Sequence, residues 1–155
     1  MTVIVYDGRS CAVDSGAAAG TTMLRVRKFW TRTDELITGA GDTSHVVAMA
    51  EWYMSGAKLE EFPPMIHLKR DAELIVIDSN GVHRYEASPY AVDHGKDACA
   101  FGGGRDFAYG ALAMGASAYR AAVIACQYSP VCAGPIHLFS WGGGGEVREV
   151  VHAAG

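Results

Sequence analysis

The sequence has no apolar run that approaches a membrane span. Its N-terminal stretch Val3-Ile4-Val5-Tyr6 is broken by Asp7 and Arg9, far short of the roughly 18 residues a spanning helix requires. It also lacks the basic start and small-residue cleavage pattern of a secretory signal. Together these absences make the cytoplasm the expected compartment, with no membrane partner. A basic cluster is missing too: 13 Lys and Arg are scattered against 17 Asp and Glu, for a formal net charge of −4. That argues against nucleic acid as a partner. The four cysteines, Cys11, Cys99, Cys126 and Cys132, form no C-x-x-C pair, and Cys126 to Cys132 is not a zinc-knuckle spacing. Each sits in an apolar run, so buried, reduced thiols are expected. The six histidines show neither H-E-x-x-H nor facial-triad spacing, and no metal is expected. Gly102-Gly103-Gly104 lacks the Lys-Ser/Thr of a phosphate loop and is not G-x-G-x-x-G. Close backbone packing at a helix start is its better reading, and no cofactor is expected. Ser-His-Asp chemistry has no G-x-S-x-G elbow to support it.

What the sequence does have is enough apolar material for one core. Half of its 155 residues are hydrophobic, which suits a single globular domain spanning 1–155. Strands are expected over Thr2–Tyr6 and Ser10–Asp14, joined by the Asp7-Gly8 turn. A small-residue loop over Ser15–Gly20 leads to a third strand, Thr22–Trp30. In that strand Lys28 falls on the apolar side of the alternation with Leu24 and Val26, as a snorkelling strand end or an inward functional cation. A short strand Glu35–Gly39 runs into the capping residues Asp42-Thr43 and a helix over Thr43–Ser55. Ala72–Asp78 and Val82–Glu86 form a hairpin about Asn80-Gly81. Pro89–Lys96 reads as irregular. A strand Cys99–Phe101, helices over Asp106–Met114 and Ala118–Tyr128, and a hairpin Ile136–Trp141 with Glu146–Val151 complete the chain. Helices arriving in blocks between blocks of strands imply a layered α+β fold.

A threonine at position two carries chemical weight. Freed of Met1, Thr2 presents a hydroxyl nucleophile and an amine base in one residue. Asp14 and Lys28 end neighbouring strands that lead back to it.

The opening segment, Thr2 through Val13-Asp14-Ser15, resembles that of proteasome β-subunits and the bacterial protease HslV. Val26-Arg27-Lys28-Phe29 resembles the family's strand ending in a lysine. Ala40-Gly41-Asp42-Thr43-Ser44-His45 resembles its A-G-x-x-A-D segment, and Phe101-Gly102-Gly103-Gly104 its G-S-G segment. The order is that of the family and covers nearly the whole chain, which is short for it, like compact bacterial and phage members. The resemblance implies a four-layer αββα sandwich of the N-terminal-nucleophile hydrolases. It implies a threonine endopeptidase in which Thr2, exposed by loss of Met1 without any propeptide, attacks the peptide carbonyl. Lys28 would favour the anionic nucleophile, Asp14 would orient Lys28, and the Gly41 N–H would donate to the oxyanion. It also implies stacked homo-oligomeric rings, unfolded protein or peptide as substrate, and an ATP-dependent unfoldase as partner. Four positions depart from the pattern. Val3 stands for a threonine, Gly103 for the serine of G-S-G, and His45 for the aspartate of A-G-x-x-A-D. The late segment Tyr128–Gly134 lacks its aspartate, leaving Ser129 to take part of that role. Two alternatives therefore stay open: an inactive ring-forming scaffold, and a small-molecule amidase.

Overall fold

A computed structural model of the chain describes residues 2–65 and 71–152. Its first half runs β1 (Ile4–Tyr6), β2 (Ser10–Asp14), β3 (Gly16–Ala19), β4 (Thr22–Arg25), β5 (Phe29–Thr31), β6 (Leu36–Gly41) and helix α1 (Thr43–Met54). The second half runs β7 (Ala72–Asp78), β8 (Gly81–Tyr85), β9 (Val92–Gly95), β10 (Cys99–Phe101), α2 (Arg105–Ala113), α3 (Ala118–Tyr128), β11 (Ile136–Trp141) and β12 (Val147–His152). Two five-stranded antiparallel sheets result, in the orders β10-β1-β2-β11-β12 and β5-β6-β7-β8-β9, with β3-β4 as a separate pair.

Strand alternation distributes the core. Ile4, Tyr6, Cys11 and Val13 face the second sheet and pack with Phe29, Leu36, Ile75, Ile77 and Phe139. Their neighbours Val3, Val5 and Ala12 face the other way, onto Ala108, Ala118, Ala121 and Ala125 of α2 and α3. The small alanine side chains let both helices lie close to the sheet. On the second sheet Ile37, Leu74 and Val76 face Val46, Met49 and Ala50 of α1.

The β1–β2 turn is built by one carboxylate. Asp7 accepts the Arg9 N–H at 3.0 Å, the Ser10 N–H at 2.8 Å and the Ser10 hydroxyl at 3.0 Å. It also accepts the Ala118 N–H at 2.8 Å, tying the turn to the start of α3. Burial pushes its pKa up, but the hydrogen bonds outweigh burial and hold it below the ordinary carboxylate value. The stability it supplies is therefore complete above the unfolded pKa of about 3.9 and is lost as pH falls through the lower folded value. Asp7→Ala is expected to cost about 1–3 kcal/mol at neutral pH. It should also flatten the acid side of a pH series of urea denaturation midpoints.

The expectation of a four-layer αββα sandwich of the N-terminal-nucleophile type is corrected by this architecture. The fold is β-rich: among the described residues there are twelve strands in three antiparallel sheets, with α-helices of only 12, 9 and 11 residues. A helix is about 10 Å across, whereas five strands span about 19 Å. Among the described residues α1 packs mainly on β6 and β7, and much of its sheet has no α-helix against it. Local readings change as well. The small-residue stretch after Asp14 is a strand, β3, not a loop, and it zips onto β4 in a hairpin whose β4 residues are all exposed. The run Thr22–Trp30 is two strands in different sheets, because the chain turns away at Val26–Lys28. The irregular segment before Lys96 contains β9.

Candidate active site

The site grows from Asp14, the last residue of β2, which is completely buried. A carboxylate in such a place requires donors, and it has four. Oδ1 accepts the Val3 N–H and the Lys28 ammonium, each at 3.0 Å. Oδ2 accepts the Ala133 N–H at 3.1 Å and the Gly16 N–H at 3.2 Å. Lys28 lies where the chain crosses from β4 to β5, and its side chain is 10% exposed. Its carbonyl accepts the Thr38 hydroxyl of β6 at 2.7 Å. Lys28 is thus held at its backbone by the second sheet and at its ammonium by the first. One carboxylate oxygen is shared between that ammonium and the amide immediately after Thr2.

Thr2 is 3% exposed and borders a cleft of about 940 Å³ together with Gly41, Glu73, Arg84, Gly102 and Gly103. Its carbonyl accepts the Gly104 N–H at 3.2 Å. Two glycines are required here. At Gly102, with φ +85°, a Cβ would stand 2.3 Å from the Thr2 carbonyl oxygen; at Gly41, with φ +100°, it would stand 2.0 Å from the Asp71 carbonyl oxygen. Gly41 precedes Asp42, the N-cap of α1, whose carboxylate accepts the His45 N–H at 3.1 Å. The positive end of that helix therefore borders the cleft.

Glu73, on the cleft wall, lies 3.7 Å from Arg84. Burial raises its pKa above the ordinary carboxylate value, with the Arg84 charge acting against the rise.

The structure brings Thr2 and Gly41 to one cleft and Asp14 and Lys28 to its base. Ser129 is placed differently. It is buried after the end of α3 and accepts the Val131 N–H at 3.4 Å. It does not line the cleft among the described residues. Two of the departures acquire reasons or consequences. A Cβ at Gly103 would lie 2.7 Å from a Val131 methyl, so a serine there requires Val131 to move. His45 caps nothing with its side chain: its Nε2 is buried without a hydrogen-bond partner among the described residues.

The chain matches no protein-family model and no curated protein. It does match a solved structure, Thiobacillus denitrificans BPH in complex with epoxomicin. The TM-score is 0.66 over 100% of both chains, at 14% identity. At that identity the likeness is one of fold.

Sequence reasoning missed the residues that act through the backbone: Ala133, Gly102 and Gly104. No side-chain signal marks them. Thr38 had a signal, a single hydroxyl inside the apolar run Leu36-Ile37, and Glu73 had the same kind within β7. Among the described residues no three His, Cys, Asp or Glu side chains gather into a metal-sized group, and no helix is long and apolar enough to cross a membrane. The chemistry on hand is a hydroxyl, an ammonium fixed by a buried carboxylate, and backbone N–H groups around a cleft.

Proposed function

We propose that the chain is a threonine-type endopeptidase resembling proteasome β-subunits and HslV, with Thr2 as nucleophile once Met1 is removed. One observation carries the reading: Asp14 Oδ1 holds the Lys28 ammonium and the Val3 amide together, 3.0 Å from each, beside a threonine that opens on a cleft. A positive charge fixed there lowers the cost of making Thr2 Oγ anionic. The freed α-amine takes the hydroxyl proton, Oγ adds to the substrate carbonyl, and the Gly41 N–H donates to the tetrahedral oxyanion. Collapse expels the amine product and leaves an ester on Thr2. Water activated by the same α-amine then hydrolyses that ester. The fold-sharing structure that is a complex with epoxomicin supports the choice of that compound as a probe. In this reading the protein is cytoplasmic, works as stacked rings of its own copies on unfolded chains, and receives them from an ATP-driven unfoldase.

The loss of the serine position at Gly103, filled by Val131, favours a second reading, a ring scaffold without peptidase activity. Intact mass and a fluorogenic peptide assay separate the two. The peptidase reading expects a chain lacking Met1, turnover of the peptide, and an epoxomicin adduct on Thr2. A Met1-free, assembled protein that neither turns over peptides nor takes the label would establish the scaffold. Lys28→Ala is expected to lower kcat/KM by about 10²–10³-fold while leaving the assembly seen in size-exclusion chromatography intact. Wild-type rates in that variant would remove Lys28 from the mechanism.

A further inference from the structure

Thr38 stands in surroundings that packing alone does not explain. Alternation along β6 puts Leu36, Thr38 and Ala40 on one face, and Leu36 and Ala40 belong to the core cluster between the two sheets. The cross-strand neighbours of Thr38 are Phe29 on β5 and Ile75 on β7, both in that cluster too. Thr38 itself is completely buried. A valine has nearly the same shape and would fill this place with no polar atom to satisfy. A buried hydroxyl costs free energy unless it is hydrogen-bonded, and this one donates to the Lys28 carbonyl at 2.7 Å. Thr38 does not line the cleft among the described residues.

The bond matters because of where Lys28 lies. Residues 26–28 cross from β4, in the separate hairpin, to β5, in the second sheet, and lie outside both strands. The crossing is tied at its start, where the Val26 N–H donates to the Ser15 carbonyl at 2.8 Å. It is tied at its end by Thr38. From that end the Lys28 side chain reaches Asp14 Oδ1 at 3.0 Å. β6 is paired on both sides, with β5 and with β7, and runs on from Thr38 to Gly41, roughly 10 Å of extended chain. Between them Gly39 is tightly enclosed: a Cβ there would stand 2.5 Å from a Val46 methyl and 2.6 Å from the Glu73 carbonyl oxygen. One strand therefore fixes both the root of the Lys28 side chain and the Gly41 N–H.

We propose that Thr38 is a positioning residue: its hydroxyl pins the Lys28 backbone to β6 and so sets the Lys28 ammonium in register with the Gly41 N–H. A long, flexible stem separates the lysine backbone from its charge. Asp14 holds the far end of that stem and Thr38 the near end. Stabilisation of developing charge depends on groups already in place when the charge appears, and a misplacement of about 1 Å costs on the order of 10²-fold in rate. Without the hydroxyl the root of Lys28 loses a tie to the strand that carries the oxyanion donor. The effect on turnover rests on the peptidase reading; the pinning of Lys28 does not.

The test compares the full-length folded parent with Thr38→Val, Thr38→Ser and Thr38→Ala. Parent and Thr38→Val share a shape and differ in the hydroxyl. Thr38→Ser and Thr38→Ala both lack the methyl and again differ in the hydroxyl, so each pair isolates the hydrogen bond. Peptide kcat is expected to fall at least about tenfold from parent to Thr38→Val and from Thr38→Ser to Thr38→Ala, with KM unchanged. A second readout needs no turnover: brief acetylation of lysines, followed by peptide mapping, with Lys58, 59% exposed, as internal reference. Lys28, 10% exposed, should label more slowly than Lys58 in the two chains with the hydroxyl. In the two without it, Lys28 should label at least about threefold faster relative to Lys58. A Thr38→Val chain with the parent kcat, or a change in KM alone, would overturn the positioning role. Lys28 labelling indifferent to the hydroxyl would overturn the pin itself. A parent that turns over no peptide would end the peptidase reading alone, and the labelling would still decide the pin. Should Thr38→Val not fold, the serine and alanine pair gives the same comparison.

Discussion

Thr2→Ala, in a chain from which Met1 has been removed, is expected to abolish peptide hydrolysis, by at least about 10³-fold, and to abolish the epoxomicin adduct. The expectation is strong because the substitution takes away the reacting atom and little else. What Thr2 contributes to the fold in the first instance is a carbonyl that accepts the Gly104 N–H, and alanine supplies that equally well. The extended approach to β1 is set by Val3 and Ile4, both completely buried. The variant should therefore unfold within a few degrees of the parent in a thermal scan. Thr2→Ser keeps the hydroxyl and should retain measurable turnover. If Thr2→Ala hydrolysed the peptide at the parent rate, the nucleophile would lie elsewhere and the proposed chemistry would be wrong.

The second large effect belongs to Asp14, and it is first an effect on stability. Asp14→Ala strips the acceptor from three backbone N–H groups and removes a carboxylate 3.0 Å from the Lys28 ammonium. Breaking a buried ion pair from one side costs about 3–5 kcal/mol. For a chain of this size that is a fall in Tm on the order of 10 °C, readable by calorimetry. Asp14→Asn separates the two roles. Its amide oxygen preserves an acceptor at nearly the same volume, so it should lose less stability than Asp14→Ala. It carries no charge to hold the ammonium, so turnover should still fall by about 10²-fold. An Asp14→Ala chain that melts with the parent would contradict the anchoring role.

Much of the local structure was legible because alternation is a direct consequence of strand geometry. β2, β7, β10, α3 and β11 have the bounds expected from the sequence. Ser117 caps α3, its hydroxyl accepting the Arg120 N–H at 3.3 Å. The misreadings share a cause. The stretch after Asp14 is mostly alanine and glycine, which have little strand preference by themselves. It becomes β3 because β4 returns beside it and the Ala133 carbonyl accepts the Ser15 and Gly16 N–H groups. The run Thr22–Trp30 has continuous strand character. It divides at Val26–Lys28, where Lys28 reaches a carboxylate of the first sheet, 14 residues away and beyond the few residues over which strand alternation is read.

By itself the sequence determined the strands, the helix caps, the glycine turns, and a threonine, an aspartate and a lysine at suggestive positions. Side-chain period and backbone sterics act over a few residues, so a few residues suffice to read them. The tertiary structure alone decided three further things. Asp14 is buried where four donors meet on it. Among the described residues α-helical cover is limited to three short elements over β-rich layers. Cys132 and Ala133 link the turn after α3 to the start of the chain. Each depends on backbone groups and distances across the fold. The amide of Ala133, which steadies the carboxylate, is chemically the same as every other amide in the chain until the sheet closes around it.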